Sequence, residues 1–115
     1  PYHLTRLAEV IRHINKSSQT NIRALSDIAC LSEKQFSRIF SENIGTTPKD
    51  FMRIVRLQRT LSIMQHNQGI GFAQLSYECG YTDKSHMIKE FKLFSGYTPK
   101  EYIARYSPVS DYFTF

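Results

Sequence analysis

The chain has 115 residues, 15 Lys and Arg against 10 Asp and Glu, and 41% apolar residues, which suits one compact domain or two very small ones and excludes a large multi-domain enzyme. No apolar run approaches the roughly 20 residues of a membrane-spanning helix, so a soluble, folded chain is expected. The net charge of +5 lies wholly in residues 1–66, with ten basic and five acidic side chains, while 67–115 hold five of each, and such a field favours a polyanion such as nucleic acid or an anionic membrane surface. The start at Pro1, without Met and without a basic-then-apolar leader, reads as the interior of a longer chain.

Leu4, Leu7, Ala8, Ile11 and Ile14 stand at helical spacing and predict an amphipathic opening helix. Ile22, Leu25, Ile28 and Ala29 predict a short second helix that breaks near Cys30 and Leu31. Ser32 is a good N-cap, Gln35 completes a capping box, and Phe36, Ile39 and Phe40 form the inward stripe of a third helix. Thr47 caps the next helix, Pro48 takes its first position, where a missing N–H costs nothing, and Asp50 completes the cap. Phe51, Ile54, Val55, Leu57, Leu61 and Met64 carry this helix to His66, a connector of about 28 Å at 1.5 Å per residue, long enough to hold two units apart. Phe72, Leu75 and Cys79 line a fifth helix, Gly80 suits a turn with positive φ, and Met87, Phe91 and Phe94 face inward from a sixth. Thr98 and Pro99 start a closing helix that carries Tyr102, Ile103 and Tyr106; past Pro108 the tail SDYFTF has no period. The expected fold class is all-α with about seven helices.

The helices form a repeat. Leu25-Ser26 matches Leu75-Ser76 and Ser32 matches Thr82; after one extra residue in the second copy, Phe40 matches Phe91, Gly45 matches Gly96, and Thr47-Pro48-Lys49 matches Thr98-Pro99-Lys100. Each copy is a short helix, a tight turn and a second capped helix, which is the helix-turn-helix pattern. The expected organisation is an opening helix, first helix-turn-helix and connector over 1–66, a second helix-turn-helix and closing helix over 67–107, and an irregular tail over 108–115. Neither copy alone buries much apolar surface, so each is expected to use the connector as a wall.

Catalytic and metal chemistry find little support. Cys30 and Cys79 belong to no Cys-x-x-Cys pair and read as two reduced, partly packed thiols, and the four histidines lack ligand spacing, so no metal site and no cofactor are expected. No Ser/His/Asp, Cys/His or paired-carboxylate arrangement is recognisable, and the chain is not expected to be an enzyme.

The motif Ser32-x-x-x-Phe36-Ser37-Arg38-Ile39-Phe40 with Gly45-Thr46-Thr47-Pro48, followed by Arg56-Leu57, Cys79-Gly80-Tyr81, Phe91-Lys92 and Gly96-Tyr97-Thr98-Pro99, resembles the DNA-binding domain of AraC/XylS-type bacterial transcription regulators from about Leu4 to Tyr106. The resemblance implies seven helices, the second helix of each helix-turn-helix entering the major groove, and a place at the C-terminal end of a longer regulator. It implies base-edge contacts from Lys34, Gln35, Ser37 and Arg38 in the first unit and from Lys84, Ser85, His86 and Lys89 in the second. Arg38 leads because a guanidinium bonds guanine O6 and N7 together; Gln35 suits adenine, and Ser37 either base or phosphate. Ser32, Lys49, Thr82, Lys92 and Lys100 are the phosphate contacts, joined by backbone N–H groups at the helix starts after Ser32 and Thr82. Arg53, Arg56 and Arg59 read either as phosphate contacts or as partners of acidic neighbours.

The sequence departs from the family where Ser41 and Glu42 replace frequent lysines, which removes one expected phosphate contact, and where Lys89 replaces a common Arg and His86 and Met87 a frequent aromatic pair, so weaker or more tolerant readout by the second unit is expected. Double-stranded DNA is the expected partner, with RNA polymerase and an effector or dimerisation domain elsewhere in the longer chain, no membrane, and a cytoplasmic location on the nucleoid when bound. The rival reading is a partner-binding regulatory module with only non-specific DNA affinity, for which Tyr112, Phe113 and Phe115 supply a surface.

Overall fold

The computed structural model describes residues 2–17 and 19–106. Among these lie seven helices and no strand: α1 (Tyr2–Lys16), α2 (Ile22–Ile28), α3 (Glu33–Ile44), α4 (Pro48–His66), α5 (Phe72–Glu78), α6 (Lys84–Ser95) and α7 (Pro99–Tyr106). The all-α expectation is met, and the chain divides into two compact units, one ending at Val55 and the other beginning at Arg56. The tail from Ser107, with the surface expected of Tyr112, Phe113 and Phe115, lies outside the described residues.

In the first unit, α1 packs on α2 and α2 on α3. The core joins Leu7, Val10 and Ile14 of α1, Leu25 of α2, Phe36, Ile39 and Phe40 of α3, and Met52 and Val55 from the first part of α4. Phe36 and Phe40 are fully buried, which stabilises the fold by about 1.5–3 kcal/mol for each ring withdrawn from water. Phe40 lies edge-on to Phe51, with centroids 5.5 Å apart, an arrangement favoured by the ring quadrupoles. The stripe of α1 differs from the expected one: Leu4 and Ala8 are exposed, and Val10 is buried in their stead. Leu7, Val10 and Ile14, three residues over two turns, form the buried stripe, with Ile11 packed at its edge.

The second unit repeats this plan with the rest of α4. Leu75 and Cys79, Tyr81, Met87 and Phe91 are buried with Met64, and Leu57, Leu61, Phe72 and Tyr102 pack against them. Each unit therefore has its own apolar cluster and takes part of α4 into it, as the short length of each copy requires. Phe94, expected to face inward, is exposed, as are Ile103 and Tyr106 of α7. Phe94 lies three residues beyond Phe91 in the last turn of α6, where the helix has run past the core. Ile54 on α4 is exposed for a different reason, since Met52 and Val55 already fill the inner face.

The two copies agree in detail. Ser26 Oγ donates to the Arg23 carbonyl and Ser76 Oγ to the Ala73 carbonyl, each at 2.8 Å. Gly45 and Gly96 end α3 and α6 with φ of 92° and 84°, a conformation that favours glycine and stops a helix. Thr47 and Thr98 accept from the backbone N–H groups of Asp50 and Glu101 at 3.2 Å. The Thr98 backbone N–H bonds back to Glu101 at 2.8 Å and, with the Thr98 hydroxyl, holds the Glu101 carboxyl below its ordinary range. The extra residue of the second copy falls at Thr82, so the helix start moves from there: Asp83, not Thr82, is the N-cap of α6, accepting the His86 backbone N–H at 2.7 Å.

The turns differ in one respect. Gly80 has φ of 86°, but the matching place in the first unit holds Cys30 at φ of 59°. Cys30 is exposed, whereas Cys79 is fully buried and burial raises its thiol pKa; the two thiols are not equally packed as expected. A left-handed conformation costs a residue with a Cβ about 1–2 kcal/mol, of which the greater unfolded-state freedom of glycine returns about 0.4–1 kcal/mol. The replacement Cys30→Gly should therefore raise unfolding stability by a few tenths to about 1 kcal/mol, read from a higher denaturant midpoint at unchanged slope; a lower midpoint would show that the thiol contributes packing.

Candidate nucleic-acid interface

Burial decides which face of α3 meets solvent. With Phe36, Ile39 and Phe40 turned into the core, Lys34, Gln35 and Arg38 are exposed and Ser37 is half-buried. The 3.6-residue period puts positions 34, 37 and 38 side by side, opposite the core stripe. The N-terminus is closed by a reciprocal box: Ser32 Oγ accepts the Gln35 N–H at 3.2 Å, and Gln35 Oε1 accepts the Ser32 N–H at 3.4 Å. Arg38 Nη1 lies 3.5 Å from Glu42 Oε1, both side chains being about 60% exposed. A pair this exposed is worth a few tenths of a kcal/mol at most, so the guanidinium can exchange it for a stronger acceptor.

On α6, burial of Met87 and Phe91 leaves Lys84, Ser85 and Lys89 exposed. His86 differs from them. It is half-buried, its Nδ1 accepts the Thr82 N–H at 3.0 Å, and its Nε2 stands 3.4 Å from Glu90 Oε2. The Thr82 N–H is thus already engaged, although the Thr82 residue, an expected phosphate contact, is itself exposed. Glu90 is 7% exposed, and its Oε1 meets Arg56 Nη2 at 3.4 Å. The Arg56 guanidinium stacks over the Tyr81 ring at 5.6 Å, and the Tyr81 hydroxyl bonds the fully buried Thr60 hydroxyl at 3.3 Å. Burial raises the Tyr81 phenol above its ordinary pKa, opposed by the Thr60 bond, so it stays neutral near pH 7. Sequence reading had not singled out Glu90, Thr60 or Tyr81 as a buried polar set. The i, i+4 spacing of His86 and Glu90 was the available signal.

Among the expected phosphate contacts, Ser32, Lys49, Lys92 and Lys100 are exposed. Lys49 and Lys100 stand one residue after the prolines that open α4 and α7, and Lys92 lies in the last turn of α6, where a cation complements the helix dipole. Of the connector arginines, Arg53 pairs with Asp50 at 3.1 Å and Arg56 with Glu90; these two serve the fold in the way their acidic neighbours suggested. The second unit also has an apolar groove of about 250 Å³ between the end of α4, α5 and α7, lined by Met64, Ile70, Phe72, Tyr102 and Tyr106 among others. No cluster of three or more His, Cys, Asp or Glu able to hold a metal occurs among the described residues, and none of their helices is long and apolar enough to cross a membrane.

Comparison with known proteins agrees with this layout. A family model described as a helix-turn-helix domain matches residues 25–105. An uncharacterized HTH-type transcriptional regulator of Haemophilus influenzae is 33% identical over 82 residues, covering 71% of this chain and 27% of its own length. The HTH-type transcriptional activator RhaS of Escherichia coli is 22% identical over 85 residues, covering 74% and 30% respectively. The chain thus spans less than a third of either relative. Among solved structures, the C-terminal domain of AraT, a response regulator from Geobacillus stearothermophilus, superposes with a TM-score of 0.83 at 15% identity, over 89% of this chain and 86% of that one. The DNA-binding domain of the transcriptional factor AdpA, solved with a target DNA, gives 0.76 at 20% identity over 86% and 94%. At these identities the structural likeness is one of fold. With the family model covering both helix-turn-helix units and the fold matching throughout, the chain belongs to the AraC/XylS-type helix-turn-helix family of DNA-binding transcription-regulator domains.

Proposed function

We propose that this domain binds double-stranded DNA sequence-specifically, with α3 and α6 as recognition helices in adjacent major grooves of one duplex. The observation that carries the reading is the division of each helix. The same apolar stripe that is buried in the core leaves an opposite face of Lys34, Gln35, Ser37 and Arg38 on α3, where the exposed Glu42 pairs with Arg38, and of Lys84, Ser85 and Lys89 on α6. These are the base-reading residues; Ser32, Lys49, Lys92, Lys100 and the exposed Thr82 contact phosphate, which positions the helices and supplies the salt-dependent part of the affinity. His86, which the family resemblance adds to the base-reading set, is treated separately below. The solved complex of AdpA with its target DNA supports the reading by analogy of fold.

Two copies following one another along a chain give an asymmetric site, because no two-fold axis relates them. The parent chain is then a transcription regulator acting with RNA polymerase, with its effector or dimerisation domain outside this segment and its place of action the cytoplasmic nucleoid. The apolar groove of the second unit favours one other reading, a partner-binding module whose DNA affinity is non-specific. Selection of bound duplexes from a random pool separates them. The DNA reading predicts a bipartite motif with its halves about one helical turn apart and about a thousandfold or more preference over random duplex; equal affinity for all duplexes favours the module.

Replacing Arg38 by Ala should relax preference at one base pair and weaken the best site by about 1–3 kcal/mol, read from titrations of single-base variants. A uniform loss over all sequences would make Arg38 a phosphate contact. Replacing Lys49 by Ala should instead weaken every duplex alike and lower the slope of log affinity against log salt by about one unit; an unchanged slope removes Lys49 from the interface.

A further inference from the structure

We propose that His86 is a positioning residue for α6 and not a reader of bases: its ring, held as the Nε2–H tautomer between Thr82 and Glu90, fixes the start of the recognition helix to Arg56 of α4. The inference deepens the DNA-binding reading and rests on it for the consequence at the groove. Counted from the N-caps Ser32 and Asp83, His86 occupies the place that Gln35 holds in the first unit, the third residue of the helix, whose side chain turns back to the preceding backbone. The second turn is one residue longer, and the N–H of that added residue, Thr82, is the group His86 Nδ1 accepts at 3.0 Å. A backbone N–H can only donate, so Nδ1 presents its lone pair and the proton of the neutral ring sits on Nε2. That proton faces Glu90 Oε2 at 3.4 Å.

Behind this contact the arrangement closes on itself. Glu90 reaches Arg56 with its other oxygen at 3.4 Å, Arg56 lies over the Tyr81 ring at 5.6 Å, and Tyr81 meets the His86 ring edge-on with centroids 5.3 Å apart. To bond a base edge, His86 would have to give up the Thr82 N–H at 3.0 Å and turn away from the buried Glu90 carboxylate, exchanging two contacts within the fold for one with DNA. Gln35 has no such network behind it, and its box bonds are long at 3.2 to 3.4 Å, so it stays in the reading face. Lys84, Ser85 and Lys89 then form the reading face of α6, and the His86 ring sets its angle.

The test has a part independent of DNA. In the 15N-labelled chain, long-range proton–nitrogen correlations of the His86 ring should show Nε2 protonated and Nδ1 bare; the opposite tautomer overturns the proposal. In duplex selection, His86→Ala should leave the preferred base at every position unchanged. It should lower the contrast at positions read by α6 about two- to tenfold, the worth of one hydrogen bond. His86→Asn, whose amide oxygen can still accept from Thr82, should recover part of that contrast. A changed preferred base at one position, no loss at all, or an equal loss at the positions read by α3 would each contradict positioning. If the parent chain itself selects no motif, the DNA-binding reading has failed, and the ring tautomer alone decides whether the lock exists.

Discussion

Each unit depends on one constraint: a helix of 12 residues can hide only one side, and the large apolar side chains decide which. Phe36 and Phe40 on α3, and Met87 and Phe91 on α6, are 0% exposed. Rotating either helix about its axis to hide a different face would return these side chains to water and bury lysines or an arginine. The polar face is therefore fixed by the apolar one. The caps then set where that face begins, through Ser32 with Gln35 in one unit and Asp83 with His86 in the other. The glycines Gly45 and Gly96 set where it ends.

Within this shared plan the copies carry different chemistry. α3 presents an arginine held only by an exposed partner at 3.5 Å, a planar fork able to exchange that partner for two acceptors on one base. α6 presents lysines, which are point charges without directional preference, and invests its other polar groups inward, in the chain from His86 through Glu90 to Arg56. This difference between the copies accords with the charge distribution along the sequence, in which the basic excess lies before residue 67.

The sequence was legible where a side chain's role follows from spacing alone. The repeat placed both helix-turn-helix units, Ser32 and Gln35 announced their box, and Gly80 its positive φ. It was not legible where two copies of a pattern are filled differently. Thr82 matched Ser32 by identity of type, but the added residue moved the cap to Asp83, and only coordinates show which hydroxyl or carboxylate reaches the third backbone N–H. Phe94, Ile103 and Tyr106 fit a helical stripe and yet lie past the edge of the core, because periodicity gives direction around the axis and not depth. The Cys30 backbone conformation was equally hidden, since nothing in a cysteine signals a positive φ. His86 was assigned outward by resemblance, while Glu90 four residues later carried the hint that it turns inward.

The most direct test of the account is a map of backbone and side-chain chemical-shift changes in the 15N-labelled domain on addition of a selected duplex at fixed salt. The account predicts that the changes concentrate on Lys34, Gln35, Ser37 and Arg38 of α3 and on Lys84, Ser85 and Lys89 of α6, with the buried aromatic positions beneath them little altered. Changes confined to the apolar groove lined by Met64, Phe72 and Tyr102, with both helix faces silent, would contradict it.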